Sequence, residues 1–143
     1  MYLLEYRDNQ IPLAAGETLR IPPNVRIIGT MNTADRSIAL VDHALRRRFA
    51  FIPLYPKYGV LKKHHTDSSF PINALIEILK RLNRAIDDKH YEVGISFFMK
   101  EDLEDHIEAI WRMEIEPYLE EFFFDQPGKV DEFRWEKVAE KLS

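Results

Sequence analysis

The spacing of apolar residues changes once along the chain. Before about residue 54 they come in short runs. Arg26-Ile27-Ile28-Gly29-Thr30-Met31 follows Pro22-Pro23-Asn24 and gives way to polar residues at Asn32. A short apolar run launched by prolines and closed by polar residues predicts a buried strand over residues 25–31. Phe49-Ala50-Phe51-Ile52-Pro53-Leu54 is aromatic and β-branched and predicts a second strand, ended by Pro53 or Pro56. Beyond residue 70 the period becomes helical. Leu75, Ile78, Leu79, Leu82, Ala85 and Ile86 form one stripe, which predicts a helix from Pro71 to about Asp88. Leu103, Ile107, Ile110 and Trp111 predict another over about residues 101–113. Pro117 lacks an N–H and its ring crowds the preceding turn, so a separate short helix is expected to start there, carrying Tyr118, Leu119, Phe122 and Phe123. Pro127-Gly128 reads as a turn, and Phe133, Val138 and Leu142 mark a last helix.

The intervening stretches are polar. Residues 1–7 read as the tail of a helix, and residues 8–24, with Gly16 and three prolines, as a loop with room for a small β-hairpin. Asp42 is placed to cap a short helix through residues 43–48. Residues 55–70 read as a polar connection, the best candidate for a boundary or hinge. Phe97-Phe98 and Phe122-Phe123-Phe124 are read as core of the helical part.

Composition narrows the function classes. The chain has 143 residues, 45% hydrophobic and 31% charged, which suits one ordinary domain or two small ones. A net charge of −4 argues against a chain-wide nucleic-acid footprint, although Arg46-Arg47-Arg48 and Lys57, Lys62 and Lys63 are locally basic. Without cysteine there is no disulfide and no thiolate metal site. No apolar run is long enough to span a bilayer, and the expected location is the cytoplasm.

Candidate chemistry gathers at the carboxyl end of the first predicted strand, where open α/β sheets meet their ligands. Asn32 stands there, with Asp35 and Arg36 close behind and Arg47 in the middle of an arginine triplet. The plain alternatives are a turn residue for Asn32 and a solvated helix end for the arginines. Phosphoryl transfer needs a phosphate cradle, Mg²⁺, a group that orients water and a cation for the transition state. An amide such as Asn32 can orient water, and the forked guanidinium of Arg47 or Arg48 can reach a neighbouring subunit's nucleotide. The cradle is not in this sequence: Gly16, Gly29, Gly59, Gly94 and Gly128 form no G-x-x-x-x-G-K-[ST]. His64-His65 and the acids Glu101, Asp102, Glu104 and Asp105 are weaker candidates. The first pair reads as solvated linker, and the acids as a helix start favoured by the dipole.

Gly29-Thr30-Met31-Asn32-Thr33-Ala34-Asp35-Arg36-Ser37, together with Ala44-Leu45-Arg46-Arg47-Arg48-Phe49, resembles the McrB family. These are AAA+ GTPase subunits of 5-methylcytosine-type, modification-dependent DNA restriction systems. Val93-Gly94-Ile95-Ser96-Phe97-Phe98-Met99 and residues 114–123 extend the resemblance. It implies an α+β fragment: the C-terminal strands of an AAA+ α/β sheet in residues 1–56, a linker over 57–70 and an all-helical lid over 71–143. It further implies that Asn32 is the sensor-1 residue, with Thr33 and Asp35 in the nucleotide-site element. Arg36 would belong to the network around the catalytic acids, and Arg47 with Arg48 would be the arginine finger and its neighbour. GTP and Mg²⁺ are the implied cofactors of the full-length hydrolase, while this fragment alone is expected to be inactive. The implied partners are other copies of itself in a hexameric ring, a McrC-like endonuclease subunit and modified DNA read by a domain outside this chain. The family usually has His where Ile95 stands. Two other readings compete: a piece of another AAA+ class, such as a MoxR-like chaperone ATPase, and a non-catalytic protein-interaction module.

Overall fold

The computed structural model describes residues 2–31 and 47–142. The chain divides into two compact units, residues 1–53 and residues 54–143. Among the described residues helices dominate, with one small two-stranded sheet in the first unit.

The first unit opens with α1 (Tyr2–Glu5), whose Leu3 is buried. Next come β1 (Ile11–Pro12) and β2 (Thr18–Leu19), paired antiparallel with Ile11 opposite Leu19. The loop between them closes on Gly16, whose N–H donates to Leu13 O at 3.0 Å. Gly16 has φ +84°, a conformation that strains any residue with a Cβ. This is the small hairpin for which the sequence had room. Among the described residues, 25–31 and 49–54 then run without β pairing. Both stretches were expected to be strands of an α/β sheet. A strand satisfies its backbone only through a neighbour, and among the described residues none is laid beside them. Their apolar side chains are correspondingly open, Ile28 at 93% and Ile52 at 80% exposure.

The second unit has a core of its own. The residues expected to form a polar connection contain a helix, α2 (Tyr58–His64), because Leu61 reaches into that core and is fully buried. In α3 (Ile72–Ile86) the predicted stripe is the buried face. The helix ends at Asp87, which takes the left-handed conformation with φ 52° and donates its N–H to Asn83 O. A 3₁₀ turn, Ser96–Phe98, precedes α4 (Leu103–Ile110).

Pro117 does not split the following helix in two. A π turn at Trp111–Ile115 joins α4 directly to α5 (Glu116–Phe122), and Glu116 donates its N–H five residues back to Trp111 O. The extra residue in that turn gives the proline ring room and leaves Pro117 in the first turn of α5, where a missing N–H costs little. Pro127-Gly128 is likewise helical rather than a simple turn: α6 (Pro127–Val130) runs into a 3₁₀ turn at Asp131–Phe133. Extended backbone at Arg134 then starts α7 (Trp135–Leu142).

The carboxyl-terminal elements are fastened to the π turn and α5 by polar contacts beside the apolar packing. Trp111 is fully buried and donates its indole N–H to Phe133 O at 2.7 Å. Glu116, itself buried, accepts from Trp135 N–H at 2.6 Å and from Arg134 at 3.3 Å. Of the expected core aromatics, Phe98 and Phe123 are buried, while Phe97 and Phe124 are exposed. Among the described residues no helix is long and apolar enough to cross a membrane.

Candidate functional site

Two places carry chemistry, one in each unit. In the first unit, residues 25–31 lead toward the candidate nucleotide element. Arg7 donates to Val25 O at 2.9 Å, and Arg26 donates to Pro23 O at 2.7 Å, so local hydrogen bonds hold the start of this run. Asn32, Thr33, Asp35 and Arg36 lie outside the described residues, as does the helix expected to begin after Asp42.

Arg47 and Arg48 stand together in a turn and differ in surroundings. Arg47 is exposed. Arg48 is partly buried and forms an ion pair with Glu5 of α1. Sequence pattern treats neighbouring arginines as equivalent; the ion pair, 43 residues apart in sequence, is what separates them.

In the second unit, the segment 93–98 is gripped by side chains. The carboxamide of Asn83 accepts from Val93 N–H at 2.8 Å and donates to Val93 O at 3.0 Å. Its other N–H reaches the Tyr58 hydroxyl at 3.0 Å. Burial holds the Tyr58 phenol above its ordinary pKa. His65, read from the sequence as solvated linker, is buried instead, and its Nε2–H donates to Phe98 O at 2.8 Å. His64 and His65 meet edge to face, with planes at 87°, so they do not converge on a common ion. Ile95 is half-buried against the helical core. Asn83 carried no signal in the sequence beyond being a polar residue next to an apolar stripe. That position, one residue past Leu82 on a predicted helix, could have flagged it.

Two cavities open on this unit. One, of about 420 Å³, is lined by Asp67, Ser68, Ser69, Glu101, Asp102, Glu104 and Asp105. The other, of about 340 Å³, is mostly apolar and lies between α3 and α7 beside Phe133. No three His, Cys, Asp or Glu among the described residues gather as metal ligands. The acids at 101–105 open α4 at its positive end, and Asp102 sits 3.4 Å from His106 one turn on.

Residues 74–131, which include most of α3, the gripped segment and the π turn, match the McrB alpha-helical lid domain. The chain is McrB-like. It is 39% identical to the Type IV methyl-directed restriction enzyme EcoKMcrB subunit of Escherichia coli strain K12, over a match that takes in 79% of this chain. The match covers 28% of that relative, so the chain spans well under a third of its length. In this McrB-like lid the motif around Gly94 is therefore a gripped loop on a helical body, and the arginine pair lies in the other unit.

Proposed function

We propose that the chain is the sensor-bearing and lid-bearing portion of a ring-forming AAA+ GTPase. It would work in the cytoplasm with a McrC-like endonuclease subunit to restrict modified DNA. The observation that carries this reading is the lid match itself: residues 74–131 lie within a separately cored helical unit, residues 54–143, and the Asn32 to Asp35 element and the arginines precede it in the order the McrB resemblance requires.

The roles follow from chemistry. Asn32 would orient the attacking water, Thr33 and Asp35 would belong to the nucleotide-site element, and Arg36 would join the network around the catalytic acids. Arg47 would act as the arginine finger toward an adjacent subunit, with Arg48 beside it. GTP and Mg²⁺ do not fit the described residues alone, which provide neither a phosphate cradle nor a ligand set for the ion. Both would be held by other parts of such a GTPase.

A GTPase assay on the ring-forming protein that carries this segment tests the reading. An arginine finger contributes about 10³ to 10⁵ in rate, so Arg47→Ala should bind GTP yet turn it over at least about a thousandfold more slowly. Mixing it with Asn32→Ala protein should recover part of the activity, because some interfaces then pair an intact Asn32 site with an intact Arg47. Arg47→Lys should not rescue, since a point charge lacks the guanidinium fork. Wild-type turnover by Arg47→Ala would overturn the assignment.

A further inference from the structure

Asn83 and His65, with Glu116, are the buried polar side chains among the described residues of the helical unit, and the proposed chemistry leaves all three unused. Burying an amide without partners costs roughly 1–3 kcal/mol in proteins, and here that cost is avoided by using almost every polar atom. Asn83 spends both amide hydrogens and its oxygen on Tyr58 and Val93, and His65 spends Nε2–H on Phe98 O. The two grips fall on the first and last residues of one segment, Val93 and Phe98. Their other ends fall on the first residue and the C-cap of one helix, because Tyr58 opens α2 and His65 closes it. Between the grips, Ser96 and Phe97 face solvent while Phe98 is fully buried.

An apolar core would hold α2 against α3 without specifying register. A fully satisfied polar network does specify it, because a shift of one residue leaves buried groups unpaired. We propose that Asn83 and His65 are positioning residues that fasten the segment 93–98 to α2, so that helix and segment change conformation as one element and hold Ser96 and Phe97 in a fixed pose. The proposal goes beyond the GTPase reading, and no nucleotide enters its test.

The test is amide hydrogen exchange, followed residue by residue by NMR on the 143-residue chain. Asn83→Leu removes all three hydrogen bonds at similar volume. It should speed exchange about tenfold both at Val93 and Phe98 and in the last turn of α2, while α7 stays within about threefold. Val138→Ala, a core truncation in α7, is the control for a merely structural loss and should loosen α7 at least as much as α2. His65→Leu should reproduce the Asn83→Leu pattern from the other end. Tyr58→Phe, which removes one hydroxyl from a half-buried ring, keeps the question open to measurement if Asn83→Leu does not fold. It should raise exchange about threefold at Val93 and in α2 together. Loosening at Val93 with α2 unchanged, or a uniform rise like that of Val138→Ala, would overturn the proposal.

Discussion

The described apolar runs of the first unit and the helices of the second meet solvent in opposite ways. Residues 25–31 and 49–53 leave Ile28 and Ile52 almost fully exposed. Over residues 54–142 every helix of eight residues or more buries an apolar face, and Trp111, Phe98 and Leu79 are fully enclosed. The difference lies in how each kind of element satisfies its backbone. A helix closes its own hydrogen bonds and needs neighbours only for its side chains. A strand needs neighbours for both, so an apolar run with no strand beside it stays open whatever its propensity. The helical unit also has polar fastenings inside its core, at Asn83, His65 and Glu116, whereas the described part of the first unit is tied by surface contacts such as Glu5–Arg48.

The largest expected effect that would break this contrast comes from the centre of the helical core. Trp111→Ala removes a fully buried ring and the donor to Phe133 O, and should cost about 3–5 kcal/mol in the unfolding of residues 54–142. Amide shifts of residues 2–31 should stay put in the same sample. Simultaneous loss of both sets of signals would show that the units are not independent.

A middle-sized effect is expected at Glu116. Glu116→Leu strands the part-buried Trp135 N–H and takes a partner from Arg134, for about 1–3 kcal/mol measured by denaturant unfolding. Glu116→Gln keeps an acceptor for Trp135 and should recover most of the loss. Equal losses in both variants would assign the effect to charge rather than to the fastening of α7.

The smallest effect sharpens the contrast through pH. Tyr118 is half-buried and donates its hydroxyl to Tyr91 O, and burial pushes its pKa up to about 12. An unfolded tyrosine titrates near 10. The folded state therefore favours the neutral phenol. Its contribution is complete below about pH 10 and is lost as pH rises through about 12. Tyr58 is shifted in the same direction by burial. Denaturant midpoints between pH 9 and 12 should fall less steeply for Tyr118→Phe than for the unaltered chain. Identical slopes would mean that Tyr118 is not desolvated.

The long helix α3 was legible because its stripe of Leu75, Ile78, Leu79 and Leu82 repeats at the helical period whatever it packs against. The lid resemblance was legible for a related reason: its signature is local in sequence. Pro117 misled because local chemistry forbids a regular α-helix there, while a π turn one residue longer admits the proline. His65 misled because adjacent histidines in a polar stretch look solvated. Only the approach of Phe98, 33 residues away, makes one of them buried.

By itself, then, the sequence determined that the segments now seen as α3, α4 and α7 are helical, which residues of α3 face the core, and the McrB-like character carried by short ungapped motifs. These depend on neighbours three or four residues apart, or on residue identity alone. Tertiary structure decided what needs a distant partner. It placed residues 25–31 and 49–54 outside the one sheet among the described residues, turned residues 58–64 into a core helix, divided Arg47 from Arg48 through Glu5, and gave Asn83 and His65 their grip on segment 93–98. The physical reason is the same in each case: backbone pairing and buried polar groups are satisfied by atoms remote in sequence, and periodicity holds no record of them.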